Sequence, residues 1–330
     1  FGDEVVCHKS SFNRKNIAYE VRYKDSLSVT HKNGAIGDLL DVIKSQHTKS
    51  KAANNSPCAG IIYVHKRADA GNIADQITRA TGIKAAAYHA GLKDSIRSET
   101  QQLWTKGDVQ VVVATVAFGM GIDLAHVRYV IHWCLAKSVE GFYQESGRAG
   151  RDGLESISIL YYSKDDASKI SFIIRKNLEA KSQKQGKSFR PENDNNLRAL
   201  DGMVKYCTGA SCRRKYLLKH FGEDIDAGVC NKTCDYCRSP SRVRDAIEAS
   251  EVAKHVSGSA FFKKFSNKSK TKQSAWDGQW NGPAGDDDDV YEGFDTYESD
   301  DVNGLAMFGG EYTKYGDESG AFDGGGVKSG

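Results

Sequence analysis

Short apolar runs of strand length recur along the chain with helix-period stretches between them, and this alternation restricts the fold more than any other feature. The runs are residues 59–65 (AGIIYVH), 83–89, 109–114 (VQVVVA), 127–133 and 156–162. Between them, apolar residues at 36, 39, 40 and 43 keep a helical period. So do Ile73, Ala74 and Ile77 within 69–80, and a further helix is expected around 138–146. Asp94 is placed to cap a helix whose inward face includes Ile96, Leu103 and Trp104. Gly82 and Gly107 are placed to stop two of the helices. An earlier alternation, Ile17, Tyr19, Val21 and Tyr23, predicts one more strand. Strands alternating with helices require crossover connections, hence an α/β fold with a mostly parallel sheet covered on both faces, over roughly residues 30–175. Ligands of such sheets sit at the carboxyl ends of strands. Residues 88–91 (YHAG) and 114–123 (ATVAFGMGID) are expected there.

Residues 144–153 read QESGRAGRDG. Arg148 and Arg151 are three apart, so on a helical turn they would share a face. A guanidinium is a permanently charged fork of donors suited to phosphate oxygens, and neighbouring glycines let the backbone approach an anion. A solvated basic turn is the plain alternative. The coincidence of GRxGR spacing, Gln144 four residues upstream and the RDG turn argues against it.

This stretch resembles motif VI of superfamily 2 helicases, and its QESGRAGRDG form resembles the RecQ DNA helicases. The resemblance implies that the 30–175 region is a RecA-like lobe, the second of two. It makes Arg151 an arginine finger for ATP, with Arg148 and Gln144 beside it. A finger is worth roughly 10³ to 10⁵ in rate in well-studied NTPases. Residues 114–123 resemble motif V. There Gly121 and Asp123 become candidates for the nucleotide, Asp123 through a ribose hydroxyl, and Thr115 and Gly119 for DNA phosphates. Alone, Thr115 reads better as a strand-end cap and Phe118 and Met120 as core, but beside the GRxGR stretch the functional reading is preferred; His89 reads equally as a structural histidine or a DNA or interdomain contact. The segment SSFNRKNIAYEVRYKD resembles the RecQ handover from the first lobe, with Lys15 where that family usually has proline; residues 1–29 are assigned to it. No stretch matches G-x-x-x-x-G-K-[ST] and no DEAH-like box is present. With Phe1 at the start, the expectation is a C-terminal fragment of a 3′–5′ DNA helicase, nuclear by resemblance, sharing ATP and Mg²⁺ with a first lobe and inactive alone. Its processes would be recombination, repair and replication. The alternatives are a non-catalytic DNA-binding or regulatory module and, more weakly, an RNA-directed relative.

Cys212, Cys230, Cys234 and Cys237 form a second constellation, the last three in CNKTCDYC. Four thiolates suit a closed structural Zn²⁺ site. Roughly 10–16 kcal/mol of apparent zinc binding can become folding energy. Cys207 is a reserve ligand, whereas Cys7, Cys58 and Cys134 belong with the α/β elements. The pattern CRR, FGE, then three close cysteines resembles the RecQ zinc module, assigned to residues 176–240. Arg213 and Arg214 are candidates for DNA phosphates on a basic helix, against the plainer reading of a wet helix face.

A helix and basic linker are expected over 241–272. Residues 273–330 hold two Lys/Arg against 14 Asp/Glu, leaving 44 against 29 in residues 1–272 beneath a net charge of +3. The basic body fits a polyanion, and the Gly-, Asp- and Tyr-rich tail should be a disordered spacer or a segment for a protein partner. No apolar run reaches membrane-span length. No pattern for a winged-helix domain follows the cysteines, which resembles the short fifth-type RecQ-like branch of animals and plants.

Overall fold

The computed structural model describes residues 11–53, 57–115, 118, 123–184, 194–223, 226 and 228–257. The acidic tail, the basic run before it, Cys7, Gly119, Met120 and Gly121 lie outside the described residues. The chain opens with β1 (Ile17–Tyr23), α1 (Lys24–Thr30), α2 (Gly34–Ala52), β2 (Ala59–Tyr63), α3 (Arg67–Thr81) and β3 (Ala85–Tyr88). It continues through α4 (Asp94–Lys106), β4 (Val111–Ala114), β5 (Val127–His132), α5 (Val139–Ser146) and β6 (Ser156–Tyr162). The helices α6 (Lys164–Lys184), α7 (Asn195–Thr208), α8 (Arg213–His220), α9 (Asp235–Arg238) and α10 (Pro240–Ser257) follow.

Among the described residues, six strands make one parallel sheet in the order β1-β6-β5-β2-β4-β3. Every residue of β2 and β4 is buried, which is why their sequences run apolar without alternation. On one face, Leu39 and Ile43 of α2 and Ile73 and Ile77 of α3 pack with Ile62, Val111, Val113, Tyr129 and Ile131. On the other face, His132 stacks on Tyr63 with centroids 5.2 Å apart and meets Phe142 of α5 at 4.9 Å. Gly82 and Gly107 close α3 and α4 in the left-handed conformation, their N–H groups returning to the carbonyls of Thr78, and of Leu103 and Trp104.

Three expectations change. Asp94 does not cap α4: Lys93 is the N-cap residue, and Asp94 is the first helical residue, ion-paired with Arg97. Ile96 is 42 % exposed, so the inward face of α4 rests on Trp104, itself packed edge-on against Phe118 at 5.4 Å. Residues 17–23, expected to precede the lobe, are the edge strand of its own sheet, in register with β6 from Ile17–Ser156 to Tyr23–Tyr162. An edge strand needs a cover for its free N–H and C=O groups. Here the cysteine region supplies it: Tyr19 bridges Cys234, and the Val21 N–H donates to the Asp235 carboxylate at 3.0 Å.

Candidate functional site

The arginine turn begins where α5 ends. Gly147 N–H returns to the Tyr143 carbonyl at 2.9 Å, and Arg148 and Ala149 N–H groups return to Glu145 and Ser146 at 3.2 and 3.1 Å. Arg148 and Arg151 therefore do not share a helix face as their spacing predicted: α5 stops at Ser146, and both arginines lie on turns beyond it. The turn is fastened to the start of β5. Gly150 N–H donates to Val127 O at 2.9 Å, and Asp152 takes a two-oxygen grip from Arg128 Nη2 at 2.7 and 2.6 Å. Gly150 has φ +58°, and a Cβ there would come within 2.7 Å of Ser156 Oγ and 2.8 Å of the Leu154 carbonyl, so conformation and space both demand glycine.

Arg148 is 9 % exposed. Its guanidinium acts on the phenol of Tyr63, which burial nonetheless pushes well above its ordinary pKa. Arg151 is more open and pairs with Asp123 at 2.8 Å. Gln144 is exposed, while its neighbour Glu145 turns inward to His132 at 2.7 Å. Asp123 thus stands beside Arg151 at the amino-terminal edge of the sheet. It was expected with the carboxyl-end residues, but the stretch it closes runs back to the start of β5. Thr115 and His89 do sit at the carboxyl-terminal edge, just after β4 and β3. Thr115 is buried and its N–H meets the Tyr88 carbonyl at 3.2 Å. His89 is half-buried with Nδ1 unpaired, and burial together with Arg67 lowers its pKa.

The four cysteines converge. The sulfurs of Cys212, Cys230, Cys234 and Cys237 all lie within 4.8 Å of one another, drawn from the start of α8, a turn and the start of α9. A tetrahedron with zinc–sulfur bonds of about 2.3 Å has edges of about 3.8 Å; the Cys212 and Cys234 sulfurs are 3.9 Å apart. The donor set fits Zn²⁺. These two thiols share a hydrogen bond, which holds Cys234 well below the ordinary thiol range and Cys212 above it. Cys207 is buried away from the cluster, its thiol pushed up by desolvation, and its carbonyl accepts from Tyr23 Oη at 2.7 Å.

Arg213 and Arg214 are corrected. Their guanidiniums are buried, at 1 % and 2 % exposure, and turned inward. Arg213 donates to Asp235 at 3.0 Å and to the carbonyls of Tyr206 and Gly209 at 2.7 and 2.8 Å. Arg214 donates to the carbonyls of Arg14 and Ile17 at 2.7 and 2.6 Å, and to Thr233 Oγ1 at 2.9 Å. Buried in this way, neither presents its guanidinium for a DNA phosphate; each instead satisfies backbone carbonyls that would otherwise be buried without donors. Sequence reading missed Arg14 and Asn16, whose side chains hold the arginine turn. The only sequence signal was Arg-x-Asn immediately before a strand.

Residues 36–153, which hold the arginine turn and four of the six strands, match the helicase conserved C-terminal domain. Residues 164–238 match the RecQ zinc-binding domain, and the chain belongs to the RecQ family. Mouse ATP-dependent DNA helicase Q5 is 40 % identical over 75 % of this chain. ATP-dependent helicase SGS1 of Saccharomyces cerevisiae is 37 % identical over 77 %, and the RecQ-like DNA helicase BLM of Xenopus laevis 42 % over 69 %. The chain spans 24 %, 16 % and 16 % of those proteins, respectively.

Proposed function

We propose that this chain supplies the second lobe and zinc module of an ATP-dependent DNA helicase moving 3′ to 5′, with Mg²⁺-ATP held between it and a preceding lobe. The observation that carries the reading is the arginine turn: Arg148 buried against the sheet, Arg151 at its amino-terminal edge, and Gly150 locked between β5 and β6. Arg151 leaves Asp123 for the terminal phosphate as the lobes close and stabilises the charge that develops there. An exposed ion pair of this kind contributes only ~0–1 kcal/mol, so a phosphate displaces it readily. Gln144 reaches the same nucleotide from the end of α5, and Gly121 and Asp123 contribute to its binding.

DNA lies at the other edge of the sheet, against Thr115 and His89, and Gly119 contributes to its binding. Thr115 and Asp123, near the start and at the end of motif V, stand at opposite edges, one toward the DNA strand and one toward the nucleotide. Such contacts hold backbone and carry no sequence information. Zinc is structural: when bound, it ties α8 to α9 and supplies no chemistry to the reaction. The setting is nuclear DNA recombination, repair and replication. Alone, the chain hydrolyses no ATP, because it lacks the phosphate cradle. The test is DNA-stimulated ATP hydrolysis by the two-lobe protein, with Arg151→Ala beside it. Strong DNA-dependent turnover that the variant loses supports the reading; turnover independent of both DNA and Arg151 overturns it.

A further inference from the structure

Residues 11–17 are gripped from two directions at once. Toward the arginine turn, Arg14 Nη1 donates to the Gly147 carbonyl at 2.9 Å, and Nη2 to Ala149 and Gly150 at 3.0 and 3.1 Å. Asn16 Nδ2 donates to Gly150 and Leu154 carbonyls at 2.8 and 2.9 Å. Toward the cysteine module, Arg214 holds the Arg14 and Ile17 carbonyls and Asn13 Oδ1, the last at 2.8 Å. Glu223 accepts from the Phe12 N–H at 2.6 Å and from Ser11 Oγ at 2.9 Å. The Phe12 ring stacks on Phe221 at 4.9 Å, and its carbonyl accepts from Tyr143 of α5.

The carbonyls of Gly147, Ala149 and Gly150 lie beyond α5, outside its hydrogen-bond ladder, and need donors from elsewhere. Arg14 gathers all three with one rigid fork, which fixes the plane of the peptide just before Arg148, of the one joining Ala149 to Gly150, and of the one just before Arg151. A lysine offers a point charge and cannot span the three acceptors in this way. Arg214 lies two residues after the ligand Cys212 and also binds Thr233, between Cys230 and Cys234. A continuous set of contacts therefore runs from the cysteines through Arg214 and the Arg14 backbone to the arginine turn.

We propose that Arg14 is a positioning residue for Arg148 and Arg151, and that residues 11–17 transmit the folded state of the zinc module to their turn. The catalytic consequence rests on the function proposed above; the positioning itself does not. It is tested first on this chain, by amide hydrogen exchange of Arg14→Ala, Arg14→Lys and Arg214→Met, with zinc content measured alongside. In both Arg14 variants, exchange over 147–153 rises at least about tenfold, less for lysine, while β2, β4 and β5 keep their protection and zinc stays bound. If the alanine variant fails to fold, the lysine variant carries the comparison. Unchanged exchange in the turn overturns positioning, and so does a uniform rise across the sheet. Arg214→Met loosens 11–17 and 147–153 together; a response confined to the cysteine module overturns transmission.

In the two-lobe protein, Arg14→Ala lowers kcat for ATP by about 10²-fold, the scale of a reacting group misplaced by about 1 Å, with KM for ATP within about twofold. An effect on KM alone overturns the positioning role. Arg151→Ala runs in parallel. If the unmodified protein lacks DNA-dependent hydrolysis, the proposed function fails, and the exchange results alone decide the positioning claim.

Discussion

At the scale of single residues, buried arginines tied to backbone carbonyls organise this molecule more than its exposed charges do. Arg213 and Asp235 are an ion pair with side chains 1 % and 12 % exposed. Removing one partner of such a pair leaves a buried charge uncompensated and costs about 3–5 kcal/mol. Arg213→Met is therefore expected to lower unfolding stability by that order, with DNA affinity of the folded protein unchanged. Full stability with clearly weaker DNA binding would restore the DNA role given to Arg213 by sequence. Gly150→Ala forces a Cβ against Ser156 and Leu154 at positive φ. A loss of about 2 kcal/mol or more is expected in denaturant unfolding, since strained backbone alone costs about 1–3 kcal/mol; a neutral variant would contradict the packing described. The GRxGR spacing announced these residues but not their geometry. The spacing carried a helical face, whereas the helix stops one residue short of Gly147.

At the scale of elements, most strands were legible because central parallel strands are apolar throughout: VVVA and AGIIY are buried at every position. β1 was legible as a strand through its alternation, but its place in the sheet was not. Its partner β6 lies more than a hundred residues away, and period alone names no partner. Ile96 misled for a related reason: one apolar residue on the first turn of α4 fits the helical period whether or not anything packs on it. His65, two residues after β2, offers a test of the packing at the carboxyl end of the sheet. Burial lowers its pKa from 6.5 to about 4, outweighing the hydrogen bond from its ring to the Leu135 carbonyl. Between those values the unfolded chain binds the extra proton and the folded chain does not. This contribution to stability is therefore complete above about pH 6.5 and is lost progressively as pH falls toward 4. His65→Gln should flatten this part of the pH dependence of the urea midpoint; an identical profile in wild type and variant would contradict the assignment.

At the scale of the whole molecule, the cysteine module and the α/β lobe share an edge: Cys234 and Asp235 complete β1. Cys230, Cys234 and Cys237 were legible as a cluster from spacing, because thiols so near in sequence must be near in space; Cys212, 18 residues before Cys230, is brought to them by the fold. The use of the adjacent arginines as struts was not, since their acceptors are backbone carbonyls that no residue identity marks. One zinc per chain is expected by native mass spectrometry. Chelation should raise amide exchange in β1 along with the module, whereas a metal-free chain with β1 fully protected would contradict a load-sharing edge. Everything catalytic in the account depends on Arg151 at the amino-terminal edge of the sheet meeting a nucleotide held by another lobe. The most direct measurement is DNA-stimulated ATP turnover by the two-lobe protein and its Arg151→Ala variant, with zinc content and melting temperature checked in both. The expected result is a loss of about 10³-fold or more at unchanged zinc and melting. Turnover within about twofold of the unmodified protein would contradict the account at its centre.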